Sequence, residues 1–221
     1  MAKMERKKLK ILYIMGYERS GSTFLQNLVA THPALLPVGE VHHLWDRGVK
    51  ETVQCGCGKD VKACSFWQDV FRYWFGMEAL EALPRKQSKA AEIRQRRKWL
   101  FLLSIWASKA RMKKMLRPYL EAIRCLYEAL YHVASETVWI VDSSKTPVYG
   151  WVLTLMDHID LRILHLVRDP IATEASVWKR KRTGHPNYQG YWPGRAAARW
   201  AFWTWVNHHW FHKHPEYRLL A

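Results

Sequence analysis

The stretch "IMGYERSGSTFLQN", residues 14–27, decides how the rest of the chain is read. It runs from the end of an apolar strand, through a loop with two glycines, into the start of a helix. Gly16 and Gly21 have the spacing of the phosphate-cradling pattern G-x-x-x-x-G-K-[ST], but Ser22 stands where that pattern has lysine. Loop amides and the N-terminus of a new helix both direct positive potential at an anion. Arg19 adds a planar fork of donors suited to phosphate, and Ser20, Ser22 and Thr23 add hydroxyls. In a nucleotide triphosphatase the missing lysine reaches the β- and γ-phosphates, and the hydroxyl behind it holds magnesium. No separate apolar run ending in acidic metal ligands stands out. Taken alone, the loop also reads as a plain Gly/Ser turn ahead of a helix.

On the N-terminal side, "LKILYIMG" is a buried-strand run that ends in glycine. On the C-terminal side, "STFLQNLVAT" predicts a helix with Phe24, Leu25, Leu28 and Val29 on one side, stopping before His32-Pro33. Residues 138–221 repeat this grammar. "TVWIVD" and "LRILHLV" are short apolar strands, and Asp169-Pro170 starts a helix with Asp as N-cap and Pro at the first helical position. Residues 46–137 form a long insertion, with a Gly/Cys-rich opening and a basic, helical part from Pro84 to Ser135. Strands alternating with helices predict an α/β fold: a P-loop-like, mostly parallel sheet flanked by helices. The chain reads as one domain over 1–221, with the helical insertion at 75–135. Ligands of such sheets bind outside the carboxyl ends of the strands.

Composition narrows the partners. The chain has 221 residues, 49% hydrophobic and 24% charged, which is ordinary for a globular protein. A formal net charge of +16 favours anionic partners such as nucleotides, acidic sugars, nucleic acid or anionic lipid surfaces. The 13 tryptophans predict thick aromatic packing or a groove for an amphipathic ligand. The charged N-terminus does not read as a signal peptide, and "WLFLLSIWA" at 99–107 is too short to span a bilayer. Cytoplasmic residence with reduced cysteines is the expectation.

A second anion site follows from "LHLVRDPIATEASVWKRKR". Arg168 falls at the C-terminal end of a strand. Ser176 lies about two turns along the next helix, so it can face the same crevice. An Arg–Asp surface pair with a solvent-facing serine is the plainer alternative. Two anion sites at the ends of two strands nevertheless suggest one ligand with phosphates at both ends, such as a nucleotide with 3′ and 5′ phosphoryl groups.

These residues resemble the sulfotransferases. "GYERSGSTFLQNLVATHPALLPVGE" is similar to their 5′-phosphosulfate loop, with its R-S-G-[ST]-T-x-L core, and "LVRDPIATEAS" to their 3′-phosphate motif. "CGCGKDVKACSFWQDV" resembles a segment of bacterial members. The resemblance covers 10–45 and 138–182, and is closest to the tyrosylprotein and carbohydrate branch. It implies 3′-phosphoadenosine 5′-phosphosulfate (PAPS) as donor and 3′,5′-ADP as product. It assigns nucleotide binding to Arg19, Ser20, Gly21, Ser22, Thr23, Phe24, Arg168 and Ser176. Sulfuryl transfer needs no γ-phosphate clamp and, in this family, no metal, which accounts for a cradle without lysine. Glu40, after the glycine of "VGE", matches the branch's general base, and partial burial should raise its pKa. His42 and His43 are the fallback, and a plain salt bridge from Glu40 to Arg47 is the alternative. Lys145 in "VDSSKTPVYG" matches a lysine that steadies the bridging oxygen, with Arg19 as its catalytic companion. Ser143 and Ser144 are candidates for orienting donor or acceptor. Members of the family run on past "HPEYRLL" into a strand and an acidic segment, so a chain ending at Ala221 is expected to lack that part.

No metal is expected. Cys55, Cys57 and Cys64 read as a turn packed by reduced thiols or a local disulfide; zinc, with His42 or His43 as fourth ligand, is the alternative. His208, His209, His212 and His214 read as the wet side of an aromatic helix. The stretch 85–118 is a solvated helical hairpin, a lid over the acceptor groove, or a peripheral membrane contact. The expected partners are the nucleotide donor and a hydroxylated small-molecule, lipid or carbohydrate acceptor, with no nucleic acid. A P-loop kinase or triphosphatase, and a basic nucleic-acid-binding module, are the competing classes.

Overall fold

The structure is a computed structural model that describes residues 8–45, 54–75, 108–183 and 193–221. The apolar run Leu9–Gly16 forms β1, the central strand of a five-stranded parallel sheet. Its Ile11, Tyr13, Ile14 and Met15 are fully buried, as expected where helices cover both faces. Helix α1 (Ser22–Val29) leads to β2 (Leu35–Gly39) and a 3-10 turn (Val41–Trp45). Then come α2 (Ser65–Phe75), α3 (Lys109–Val133), β3 (Trp139–Lys145), α4 (Pro147–Leu153) and β4 (Ile159–Leu166). Helices α5 (Pro170–Arg182) and α6 (Pro193–Phe211) precede the edge strand β5 (Tyr217–Leu220).

The strand order is β2-β3-β1-β4-β5. The chain leaves β1 toward one edge, returns through β3, and later crosses to β4 on the other side of β1. The order therefore reverses around β1, which opens a crevice at its carboxyl end. The loop at 16–21 lies at that end.

Asp169 caps α5 by accepting from the Ala172 amide at 2.8 Å, and Pro170 fills the first turn, as the sequence predicts. Two differences stand out. Phe24 and Leu28 on α1 are 75% and 55% exposed, so the apolar side of that short helix is not a core face. The last part of the insertion, by contrast, is core. Met112, Leu116, Tyr119, Ile123, Leu126, Tyr127 and Leu130 of α3 recur every three or four residues and are all buried. Tyr131 ties α3 to β1, its hydroxyl bonding the backbone of Lys10 at 2.7 and 2.9 Å. The proposed lid at 85–118 falls mostly outside the described residues. A strand expected only beyond "HPEYRLL" is already present within it, as Tyr217–Leu220 pairs with β4. Among the described residues no helix is long and apolar enough to cross a membrane.

Candidate active site

The loop after β1 is built by backbone conformations that few residues adopt. A Cβ on Gly16 would come within 2.5 Å of the Leu166 carbonyl oxygen on β4, so only glycine fits there. Arg19 has φ 66° and Gly21 φ 95°, both left-handed. For Arg19 that conformation costs on the order of 1–3 kcal/mol. The result is a tight loop that delivers the chain into α1, whose N-cap is Gly21. The first turn of α1 has neither an acidic residue nor a side-chain cap. Its leading amides therefore face the crevice with their positive potential uncancelled. Among the described residues the buried Ser20 hydroxyl has no hydrogen-bond partner, nor has that of Thr173 on α5. A buried hydroxyl without a partner is costly, and an anionic ligand would supply one. Loop and helix thus fit a phosphate group.

The second motif meets the first. Arg19 donates from Nε to Ser176 Oγ at 3.0 Å, across 157 residues of sequence. Arg168 donates from Nη1 to the Arg19 carbonyl oxygen at 3.1 Å. Arg168 is exposed at the end of β4, and Ser176 lies on α5. Two arginines and a serine converge with neutral groups between them.

Across β1, the end of β2 meets the end of β3. Gly39 pairs with Asp142, which places Glu40 beside Lys145. Lys145 has φ 65°, and its Nζ reaches Glu40 Oε1 at 2.6 Å. His43 Nε2 lies 3.3 Å from Glu40 Oε2. Burial alone would raise the Glu40 pKa, but the hydrogen bond from His43 and the Lys145 ammonium outweigh it and lower the value to about 2. The sequence-based expectation of a raised pKa is corrected here: the hydrogen bond from His43 and the Lys145 ammonium outweigh partial burial when the carboxylate is still 38% exposed. The partner of Glu40 is Lys145; Arg47 lies outside the described residues.

Beneath Lys145 lies a buried polar network that the sequence reading missed. Asp142 is fully buried on β3, and its carboxylate accepts from Tyr127 Oη at 2.6 Å and from the Ser144 amide and hydroxyl at 2.8 and 2.5 Å. Burial raises its pKa to about 6 despite these donors. The apolar run Trp139–Val141 ends in this acid. That acid is satisfied by protein donors. Ser144 Oγ also accepts from the His42 amide at 3.1 Å, and Ser143 Oγ donates to Gln26 Oε1 at 2.5 Å. Both serines therefore tie β3 to the turn after β2 and to α1. The signal available in the sequence was Asp142 at the end of an apolar strand, three residues before Lys145; Tyr127, on the distant α3, gave none.

Elsewhere, His208, His209 and His212 lie on the exposed side of α6 and the turn after it, where Trp205 stacks on His209 at 4.9 Å. A profile described as "Sulfotransferase family" matches residues 12–220. No curated protein and no solved structure matched the chain in the corresponding searches.

Proposed function

The chain belongs to the sulfotransferase family, a family of enzymes that move a sulfuryl group, and from that premise we propose that its donor is PAPS and its general base Glu40. The observation that carries the donor assignment is the meeting of Arg19, Ser176 and Arg168 at 3.0 and 3.1 Å. A nucleotide with a 5′-phosphosulfate and a 3′-phosphate would take up both sets of donors at once. The loop amides of Gly21, Ser22 and Thr23, with Phe24 behind them, would hold the 5′ side. Arg168 and Ser176 would hold the 3′-phosphate, leaving 3′,5′-ADP as product.

Glu40 would accept the proton of an acceptor hydroxyl. At a pKa near 2 it is a weak base while Lys145 stays against it. Movement of Lys145 toward the donor would remove the ammonium beside Glu40 and strengthen it as a base. Arg19 and the first-turn amides of α1 would stabilise charge that develops on the leaving group. The acceptor class proposed is a hydroxylated small molecule, lipid or carbohydrate. Exposed Phe24, Leu28 and Ile171 beside the two motifs favour one with an apolar part.

Equilibrium binding of 3′,5′-ADP, of ATP with magnesium, and of DNA at raised salt tests this reading. Tight binding of 3′,5′-ADP alone supports it. Preference for ATP would favour a kinase or triphosphatase, and salt-resistant DNA binding a nucleic-acid module.

A further inference from the structure

Cys55, Cys57 and Cys64 take no part in the contacts just described, yet the fold brings them together. The Cys55 amide donates to the Lys59 carbonyl and the Gly58 amide to the Cys55 carbonyl, both at 2.8 Å, while Gln54 bridges Asp60. Gly58 takes the left-handed conformation that closes this hairpin, with φ 84°. Cys64 precedes α2, and its carbonyl accepts from the Gln68 amide at 2.9 Å. Cys64 Sγ lies 3.7 Å from Cys57 Sγ and 3.6 Å from Cys55 Sγ, and all three sulfurs lie within 4.8 Å of one another.

That spacing is not a disulfide's; it suits thiols in contact or thiolates gathered on one ion. A disulfide would bring two sulfurs to about 2.05 Å. Two thiolates on one tetrahedral zinc, each at about 2.3 Å, stand about 3.8 Å apart. A three-sulfur set selects a thiophilic ion over magnesium or calcium. Cys64 is buried, Cys55 half-buried and Cys57 exposed, so the open side of the triad faces water. His42 and His43 group with Glu40 instead, which sets aside the alternative that one of them is a fourth ligand.

We propose that Cys55, Cys57 and Cys64 bind one zinc ion, with the fourth position held by a solvent water. The ion fastens the hairpin to the start of α2. Val61, Trp67, Val70 and Phe71 carry that connection into the core, so metal binding stabilises the packing of α2 on α3.

The test uses the full chain, purified under reductant and without chelator. Elemental analysis should find one zinc per chain. Cobalt exchange should give thiolate charge-transfer absorption and the intense visible bands of a tetrahedral site. Changes around a metal site commonly cost about 10–100-fold in affinity, so Cys57→Ser, at the exposed tip, should weaken zinc by at least about tenfold. Cys125→Ser should leave the spectrum unchanged. A chelator should lower the thermal midpoint of the parent chain but not of Cys57→Ser. Metal-free protein with three alkylatable thiols, a disulfide within the triad, or a cobalt spectrum indifferent to Cys57→Ser would each overturn the proposal.

Discussion

At the phosphate-loop side of the crevice, two arginines face neutral groups: Arg19 a serine hydroxyl and Arg168 a carbonyl oxygen. At the other side Lys145 faces a carboxylate at 2.6 Å, with His43 against its second oxygen. Among the described residues neither arginine of the first side is held in an ion pair, which suits that side to an incoming anion. The second is already paired, so on the proposed assignment its groups must separate before either can act. The difference teaches that one half of a site can be built for binding while the other stays masked at rest. Both halves use a non-glycine residue in the left-handed region, Arg19 and Lys145, to aim a side chain from a strand end.

The largest expected effect breaks the masked half. Glu40→Gln keeps the size and most hydrogen bonds of the side chain but cannot take a proton. Turnover of labelled donor on the best acceptor should fall by roughly 10²–10⁴. Binding of 3′,5′-ADP should be nearly unchanged. Normal turnover would pass the base role to His42 or His43.

The next effect falls on the open half. A charge-assisted phosphate contact is worth roughly 1.5–3 kcal/mol, so Arg168→Ala should weaken 3′,5′-ADP at least about tenfold. Calorimetry with 5′-AMP should show a much smaller loss. Equal losses for both nucleotides would mean that Arg168 does not read the 3′-phosphate.

A smaller effect sharpens the contrast between the halves. Lys145→Ala removes the ammonium that helps hold Glu40 near 2, so the carboxylate should titrate at higher pH. NMR titration of Glu40 would follow it, and the acidic limb of the rate profile should move the same way. An unmoved titration would leave His43 as the dominant partner.

The smallest effect lies beneath the ion pair. Burial lifts Asp142 from 3.8 to about 6. Between those values the native chain keeps a proton that the unfolded chain has released, so stability contributed by this group falls as pH rises through the window. Glu40 has the opposite sign: its contribution is lost as pH falls from 4.5 toward about 2. Asp142→Asn should flatten the dependence in the upper window, as read from urea midpoints. The exchange is tolerable because Tyr127 Oη, 3.2 Å from Tyr149 Oη, has a second partner for its proton.

Much of the frame was legible in the residues. "LKILYIMG" is apolar and β-branched enough to be a buried strand, and it is one from Leu9 to Gly16. Asp169-Pro170 announced α5, because an N-cap acid and a fixed proline φ act within one turn. The spacing of Arg168 and Ser176 placed both on one crevice because helix pitch is a local property. Phe24 and Leu28 show where such reading stops. Their periodicity predicted a common side of α1, yet both side chains are exposed.

By itself, then, the sequence determined the three inner strands, the glycine loop, the cap of α5 and the family, since each rests on a few neighbouring residues and on local backbone sterics. Tertiary structure alone decided the lowered pKa of Glu40, the burial of Asp142 under Tyr127 and the meeting of Arg19 with Ser176. Those depend on distances between residues far apart in the chain: Glu40 and Lys145 are separated by 105 positions and Arg19 and Ser176 by 157. Electrostatic energy falls with distance through space and with exposure to water, and neither quantity exists until the sheet has brought its strand ends together.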